Sequence, residues 1–197
     1  CGQFNRDLSA WDVSSATNMD NMFYQAGQFN GDISTWDVSN VTRMGDMFNG
    51  AQSFSGDLSN WDVSNVTWAP AMFWRSAINF SFENWDLSGI SNMVRFFENV
   101  TEFNGDVTNL DVSNVTDFRF IFSGATSFNQ DISGWDVSSG TDFGHAFDNT
   151  SSLSFENKCA ISESWGSKSS NWVAGSWPND YDWVPLGCPV YACTDSS

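Results

Sequence analysis

The sequence predicts a repeat solenoid in which each 25-residue unit supplies one short β-strand and one short α-helical or 3₁₀ turn, closed by a C-terminal cap. Three observations carry this prediction. Trp11, Trp36, Trp61, Trp85 and Trp135 are each followed by Asp, and Leu110-Asp111 fills the gap in the series. Twelve positions beyond each of these six residues stands an aromatic: Phe23, Phe48, Phe73, Phe97, Phe122 and Phe147. After Phe155 the register is lost and the composition shifts.

A unit this short cannot bury its own apolar side, so it must stack on its neighbours. Within Trp36-Asp37-Val38 the apolar residues alternate, which predicts a strand with Trp36 and Val38 inward and Asp37 outward. Val41, Met44, Met47, Phe48 and Ala51 then follow steps of three and four, which predicts a short helical turn on the opposite wall. Ser39-Asn40 supplies the corner between the two walls. A further column reads Phe4, Phe29, Phe54, Ile78, Phe103, Phe128 and Leu153, and closes the coil from the other corner. The fourth unit is one residue short between Phe73 and Trp85, which predicts a local dent in the stack.

The chain has 197 residues and a formal charge of −17, from 7 basic and 24 acidic side chains. Eleven Trp and eighteen Phe can bury too much surface for a disordered acidic tail. The acidity argues against a nucleic-acid partner, because phosphate binding needs a basic face. No apolar run is long enough to span a membrane as a helix.

The segment W-D-V-S-N-V-T-x-M-x-x-M-F, as in Trp36 to Phe48, resembles the repeat of the BspA-like leucine-rich-repeat surface proteins. The resemblance covers residues 1 to about 155. It implies a right-handed leucine-rich-repeat-like coil, secreted or displayed on a cell surface, with a role in adhesion and no assigned enzymatic activity. On this reading residues 1–153 form six coils and residues 154–197 form a Trp-rich, disulfide-containing cap.

Cys1 occupies the small inward column of Ala26, Ala51 and Ala125, and the chain starts in mid-coil. The reading therefore expects an uncovered edge that invites end-to-end association. Cys159, Cys188 and Cys193 lie in the expected cap; with Cys1 they allow three complete disulfide pairings. A bridge from Cys1 to the cap of a neighbouring copy is one of the arrangements open to them.

Two acidic columns recur. One holds Asp12, Asp37, Asp62, Asp86, Asp111 and Asp136; the other holds Asp7, Asp32, Asp57, Asp106 and Asp131, with Ser81 interrupting it. Stacked strands sit about 4.8 Å apart, where like charges in water repel by about 0.9 kcal/mol per neighbouring pair. Three compensations are open: hydrogen bonds from nearby backbone N–H groups and Ser or Thr hydroxyls, bound divalent cations such as Ca²⁺, or a cationic partner surface.

Asn40, Asn65, Asn79, Asn99, Asn114 and Asn149 stand in N-glycosylation sequons, and Asn40, Asn65 and Asn114 share one corner column. N-linked glycans on that corner would shield one edge; the alternative is a turn-stabilising role. The Trp column shares strand parity with Val13, Val38 and Val63, so it is expected in the core, whereas Trp68 and Trp74 depart from the repeat and are candidates for exposed contacts. His145 is the sole histidine and sits in a variable slot. No nucleophile, metal-protease or phosphate-loop motif is present, and every carboxylate pair recurs in nearly every unit. A Thr column (Thr17, Thr42, Thr67, Thr116, Thr141) also suggests ice binding, but Ser91 interrupts it.

The expected function is a non-enzymatic extracellular surface, adhesion or protein-interaction module. The alternative is a structural subunit of an extracellular filament or cell-wall layer assembled head-to-tail. The expected partners are other copies of the chain or extracellular molecules.

Overall fold

The M-x-x-M-F segment does not close into a helix. Its N–H groups alternate between two destinations. In the first unit Met19, Asn21, Phe23 and Gln25 donate across to the carbonyls of Arg43, Gly45, Met47 and Asn49 in the next unit, at 2.7–2.9 Å. The residues between them, Met22, Tyr24 and Ala26, donate back three positions to Met19, Asn21 and Phe23. The same alternation runs through Met44 to Ala51 and Met93 to Val100. An α-helix needs every N–H turned to the fourth carbonyl behind it, and here half of them serve the neighbouring coil.

This geometry requires left-handed backbone at two fixed positions per coil. The first column reads Asn21, Asp46, Ala71, Arg95, Phe120 and His145; the second reads Gln25, Gly50, Arg75, Asn99, Gly124 and Asn149. All have φ between 53° and 74°. A side-chain-bearing residue there costs about 1–2 kcal/mol. From Asn21 to Gly124 each of these residues also donates its N–H to the next coil, so the strained position and the inter-coil bond are the same residue.

A computed structural model of the chain describes residues 2–172. In that structure the coils stack at a 25-residue repeat, joined by the N–H ladder and by isolated parallel bridges Asn18↔Arg43↔Trp68 and Asn92↔Asp117↔Asp142. The expected solenoid with a strand and a helical turn in every unit is therefore corrected. Among the described residues there is no β-strand, and the one helix is α1, Phe155–Lys168. The W-D-V segment lies between two turns, closed by Trp36 N–H to Ile33 O and by Val41 N–H to Val38 O. The expected alternation survives without the strand: Trp36 and Val38 are buried and Asp37 is exposed.

Aromatic rings fill the centre in two registers. Phe23, Phe48 and Phe73 stack at 5.4–5.7 Å, and Phe97, Phe122 and Phe147 continue at 5.3–5.7 Å. The corner column packs against them, as in Phe48–Phe54 at 4.3 Å and Phe122–Phe128 at 4.0 Å. The tryptophans lie at the side of this stack rather than on one another, with Trp36 and Trp135 at 6.0 and 5.9 Å from Phe23 and Phe122. Each buried tryptophan of the repeat column donates to a carbonyl of the preceding coil: Trp36 to Leu8, Trp61 to Ile33, Trp85 to Leu58 and Trp135 to Val107. A buried indole N–H usually finds such a partner, and the stack supplies one to each of these four.

Helix α1 takes the place of a seventh level. Ser154 caps it, accepting from Asn157 N–H, while Ser154 N–H donates to Asn129 Oδ1. That contact continues the series Asn30 N–H to Asn5, Ser55 N–H to Asn30, Asn104 N–H to Asn79 and Asn129 N–H to Asn104. Trp165 stacks on Trp135 at 6.0 Å and 15°, and its indole donates to Ile132 O as a repeat tryptophan would. Lys168 Nζ binds the Ser133 and Trp135 carbonyls at 2.8 Å. The helix thus answers the acceptors that another coil would answer.

Cys159, one of the cysteines of the expected disulfide-containing cap, is buried on α1 and is disulfide-bonded. Cys1, Cys188 and Cys193 lie outside the described residues.

Truncating Trp165 to alanine should remove about 3–5 kcal/mol of stability, because it deletes a fully buried ring and leaves Ile132 O without its donor. Denaturant unfolding of the full chain measures this. An unchanged midpoint would mean that α1 does not hold the last coil.

Candidate functional site

The acidic columns are built into the turns. All eleven aspartates, from Asp7 to Asp136, accept a hydrogen bond from the backbone N–H two residues on, at 2.8–3.1 Å. Many also accept from the hydroxyl of that residue, as Asp12 does from Ser14 Oγ at 2.6 Å and Asp106 from Thr108 Oγ1 at 2.7 Å. This is the Asx-turn, in which the side chain stands in for a backbone carbonyl. At the interruption, Ser81 Oγ takes the same role toward Glu83 N–H at 3.4 Å.

These bonds decide the electrostatics of the face. The Ser14 hydroxyl and N–H hold Asp12 below the ordinary carboxylate range, and Ser39 does the same for Asp37. Asp7, Asp32, Asp62, Asp106, Asp111 and Asp136 are lowered by the same pair of donors. For Asp37 the repulsion from Asp62 and Asp12 pushes the other way and is the smallest influence on it. Of the three compensations, local hydrogen bonding is the one the geometry contains. Among the described residues no three His, Cys, Asp or Glu side chains converge as cation ligands.

Other acidic residues pair with the few cations. Arg43 meets Asp20 at 2.8 Å, lies over Trp68 at 5.4 Å, and so spans three coils. Arg119 meets Asp117 at 2.7 Å and Asp142 at 3.5 Å. His145 stacks on Phe120 at 4.9 Å and has its Nδ1 2.7 Å from Asp148 Oδ2. That places it in a polar side-chain pair on the last coil.

The sequon asparagines do not form one class. Asn40, Asn65 and Asn114 turn their side-chain amides onto the carbonyls of Ser14, Ser39 and Ser88 in the coil below, at 2.8–2.9 Å. Asn79 accepts from Asn104 N–H. Asn99 and Asn149 occupy left-handed positions.

The dent expected from the short fourth unit is present. In the other coils a two-residue turn joins the Ala26 column to the Phe29 column, with Phe29 N–H to Ala26 O, Phe54 to Ala51, Phe103 to Val100 and Phe128 to Ala125. Between Ser76 and Ile78 only Ala77 remains, and its N–H turns down to Phe54 O. A cleft of about 380 Å³ opens there, lined by Gln52, Arg75, Ser76, Ala77, Asn99, Thr101 and Glu102. Ser76 stands in the Ala column, is 6% exposed, and its hydroxyl has no hydrogen-bond partner.

A charged cluster sits beside the cleft. Trp74 lies under both Arg75 and Arg95, each guanidinium 5.0 Å from its ring. Arg95 also lies 4.4 Å over Phe120 and binds Glu98 at 2.6 Å. Burial pushes the Glu98 carboxyl above the ordinary glutamate range, against the pull of Arg95 and Arg75. The sequence singles out Trp74 and the missing residue but not this cluster; the signal was four non-consensus side chains in two neighbouring units, Trp74 and Arg75 in one and Arg95 and Glu98 in the next.

The chain belongs to the family described as "Mycoplasma protein of unknown function, DUF285", which matches residues 1–81 and 75–173. This family assignment replaces the resemblance to BspA-like leucine-rich-repeat proteins, whose strand-and-helix unit the coils lack. No curated protein and no solved structure matches the chain.

Acid should unfold the protein in a narrow window. The aspartates whose folded pKa is lowered stabilise fully above their unfolded value of about 3.9, and that contribution is lost as pH falls through the lowered values. Thermal melting should therefore be flat from pH 7 to about 5 and fall steeply below about pH 4. Added Ca²⁺ at neutral pH should leave the melting temperature unmoved; a rise would return the acidic face to cation binding.

Proposed function

We propose that the chain is a non-enzymatic presentation module, working outside the cell or on its surface, whose stacked coils hold a regular lateral face toward a partner. The observation that carries this reading is the use made of the repeated carboxylates. Eleven of them are committed to turn geometry at one register, which makes the face rigid and uniform. Groups repeated at every level and engaged in structure suit a surface to be recognised better than they suit chemistry, which needs a singular constellation. No helix among the described residues is long and apolar enough to cross a membrane.

Antibody labelling of intact source cells tests this reading: the label should bind without permeabilisation, and labelling only after permeabilisation would overturn it.

A further inference from the structure

We propose that the cleft at the short fourth coil is a binding site for a neutral, hydroxyl-rich small molecule of the size of one or two sugar rings. The argument begins with how the cleft arises. Every other described coil fills this level with two turn residues, and the fourth has one. Among the described coils the missing turn residue is confined to this level. The cleft's volume of about 380 Å³ falls within the range of small-molecule sites, about 300–1,000 Å³.

The lining selects the ligand class. Gln52 and Asn99 are amides that both donate and accept, Thr101 offers a hydroxyl, Glu102 accepts in pairs, and the Arg75 guanidinium donates in pairs. Four of these five groups are planar and bidentate, which suits the adjacent hydroxyls of a polyol. Arg75 has no carboxylate within ion-pair distance among the described residues, so its donors are not spent on a salt bridge.

Ser76 supplies the second, independent observation. Its hydroxyl is buried, lines the void and has no partner. An unmade hydrogen bond in a buried position is expensive, and the Ala26 and Ala51 column shows that this level needs no hydroxyl for packing. A ligand hydroxyl seated in the cleft would satisfy it.

Other ligand classes fit less well. An apolar ligand would meet a lining in which only Ala77 is apolar. A divalent cation would find Glu102 as the one lining carboxylate. An anion would face Glu102 at the wall, with Glu98 behind Arg75 and Arg95, in a chain of charge −17.

The test uses two variants that the repeat itself guarantees should fold. Ser76→Ala restores the column residue, and one glutamine inserted between Ala77 and Ile78 restores the 25-residue unit and refills the turn. The full chain is titrated with glucose, galactose, mannose and N-acetylglucosamine, and with acetate as the anion arm, followed by saturation-transfer NMR. At least one sugar should bind the unaltered chain. Its affinity should drop about tenfold in Ser76→Ala, the worth of one good hydrogen bond, and vanish in the insertion variant. Both variants should melt at or above the parent temperature, so that lost binding is not lost folding. Sugars that fail to bind, sugars that bind the insertion variant equally well, or acetate binding in their place would each overturn the proposal. None of these outcomes bears on surface display, which intact-cell labelling reads separately.

Discussion

The structure depends on one division of labour: alternate backbone N–H groups leave their own coil and bind the next. From Met19 to Gln25 every second N–H does so, and the intervening ones close turns at home. A buried backbone group must be paired, so once half of them are pledged to a neighbour, no coil is complete without one. The left-handed residues follow from the same rule. They cost about 1–2 kcal/mol apiece locally, yet each from Asn21 to Gly124 is a donor in the ladder. Removing the neighbour would leave both the strain and an unpaired donor. Cooperativity between coils is thus a consequence of backbone geometry before any side chain is considered.

The side chains complete what the backbone begins, again by reaching across levels. Tryptophan indoles bind carbonyls one coil back, corner asparagines do the same, and a second asparagine series accepts from N–H groups one coil forward. The aspartates of the two columns act within a level, fastening each turn. This explains how so acidic a face persists. The hydrogen bonds that lower the Asp37 carboxyl outweigh the repulsion from Asp12 and Asp62, so the charge is tolerated as a by-product of turn formation. Helix α1 obeys the same demand by other means: Trp165, Ser164 and Lys168 deliver donors to Ile132, Ser133 and Trp135.

The repeat, its period, the inward columns and the dent were all legible in the residues, because side-chain burial follows spacing whatever the backbone does. The secondary structure was not. Steps of three and four from Val41 to Ala51 are shared by a helix and by a run of turns that returns a side chain to the core at the same intervals. What separates them is the pair of columns that need positive φ. Seven of those twelve residues are Asn, Asp, His or Gly, namely Asn21, Asp46, His145, Gly50, Asn99, Gly124 and Asn149. That enrichment in residues which tolerate left-handed backbone was the available signal against a helix. The W-D-V alternation misled in the same way, since Trp36 in, Asp37 out and Val38 in are equally produced by two turns meeting at an aspartate.

A repeated architecture also changes where a specific site can arise. A group that recurs at every level, such as the Asx aspartates, belongs to a surface and cannot single out one small ligand. Specificity needs a break in the symmetry, and among the described coils the missing turn residue after Ala77 is a break that opens a cleft. Around it the departures from consensus accumulate. Ser76 stands where Ala26 and Ala51 pack, Trp74 and Arg75 stack beside it, and Arg95 with Glu98 lies one coil on. A random deletion would only cost stability, because the turn it removes is intact in the coils on either side. Here the gap is lined by polar residues and by a buried hydroxyl left unpaired. That combination is what a retained binding cleft looks like in a fold otherwise made of copies.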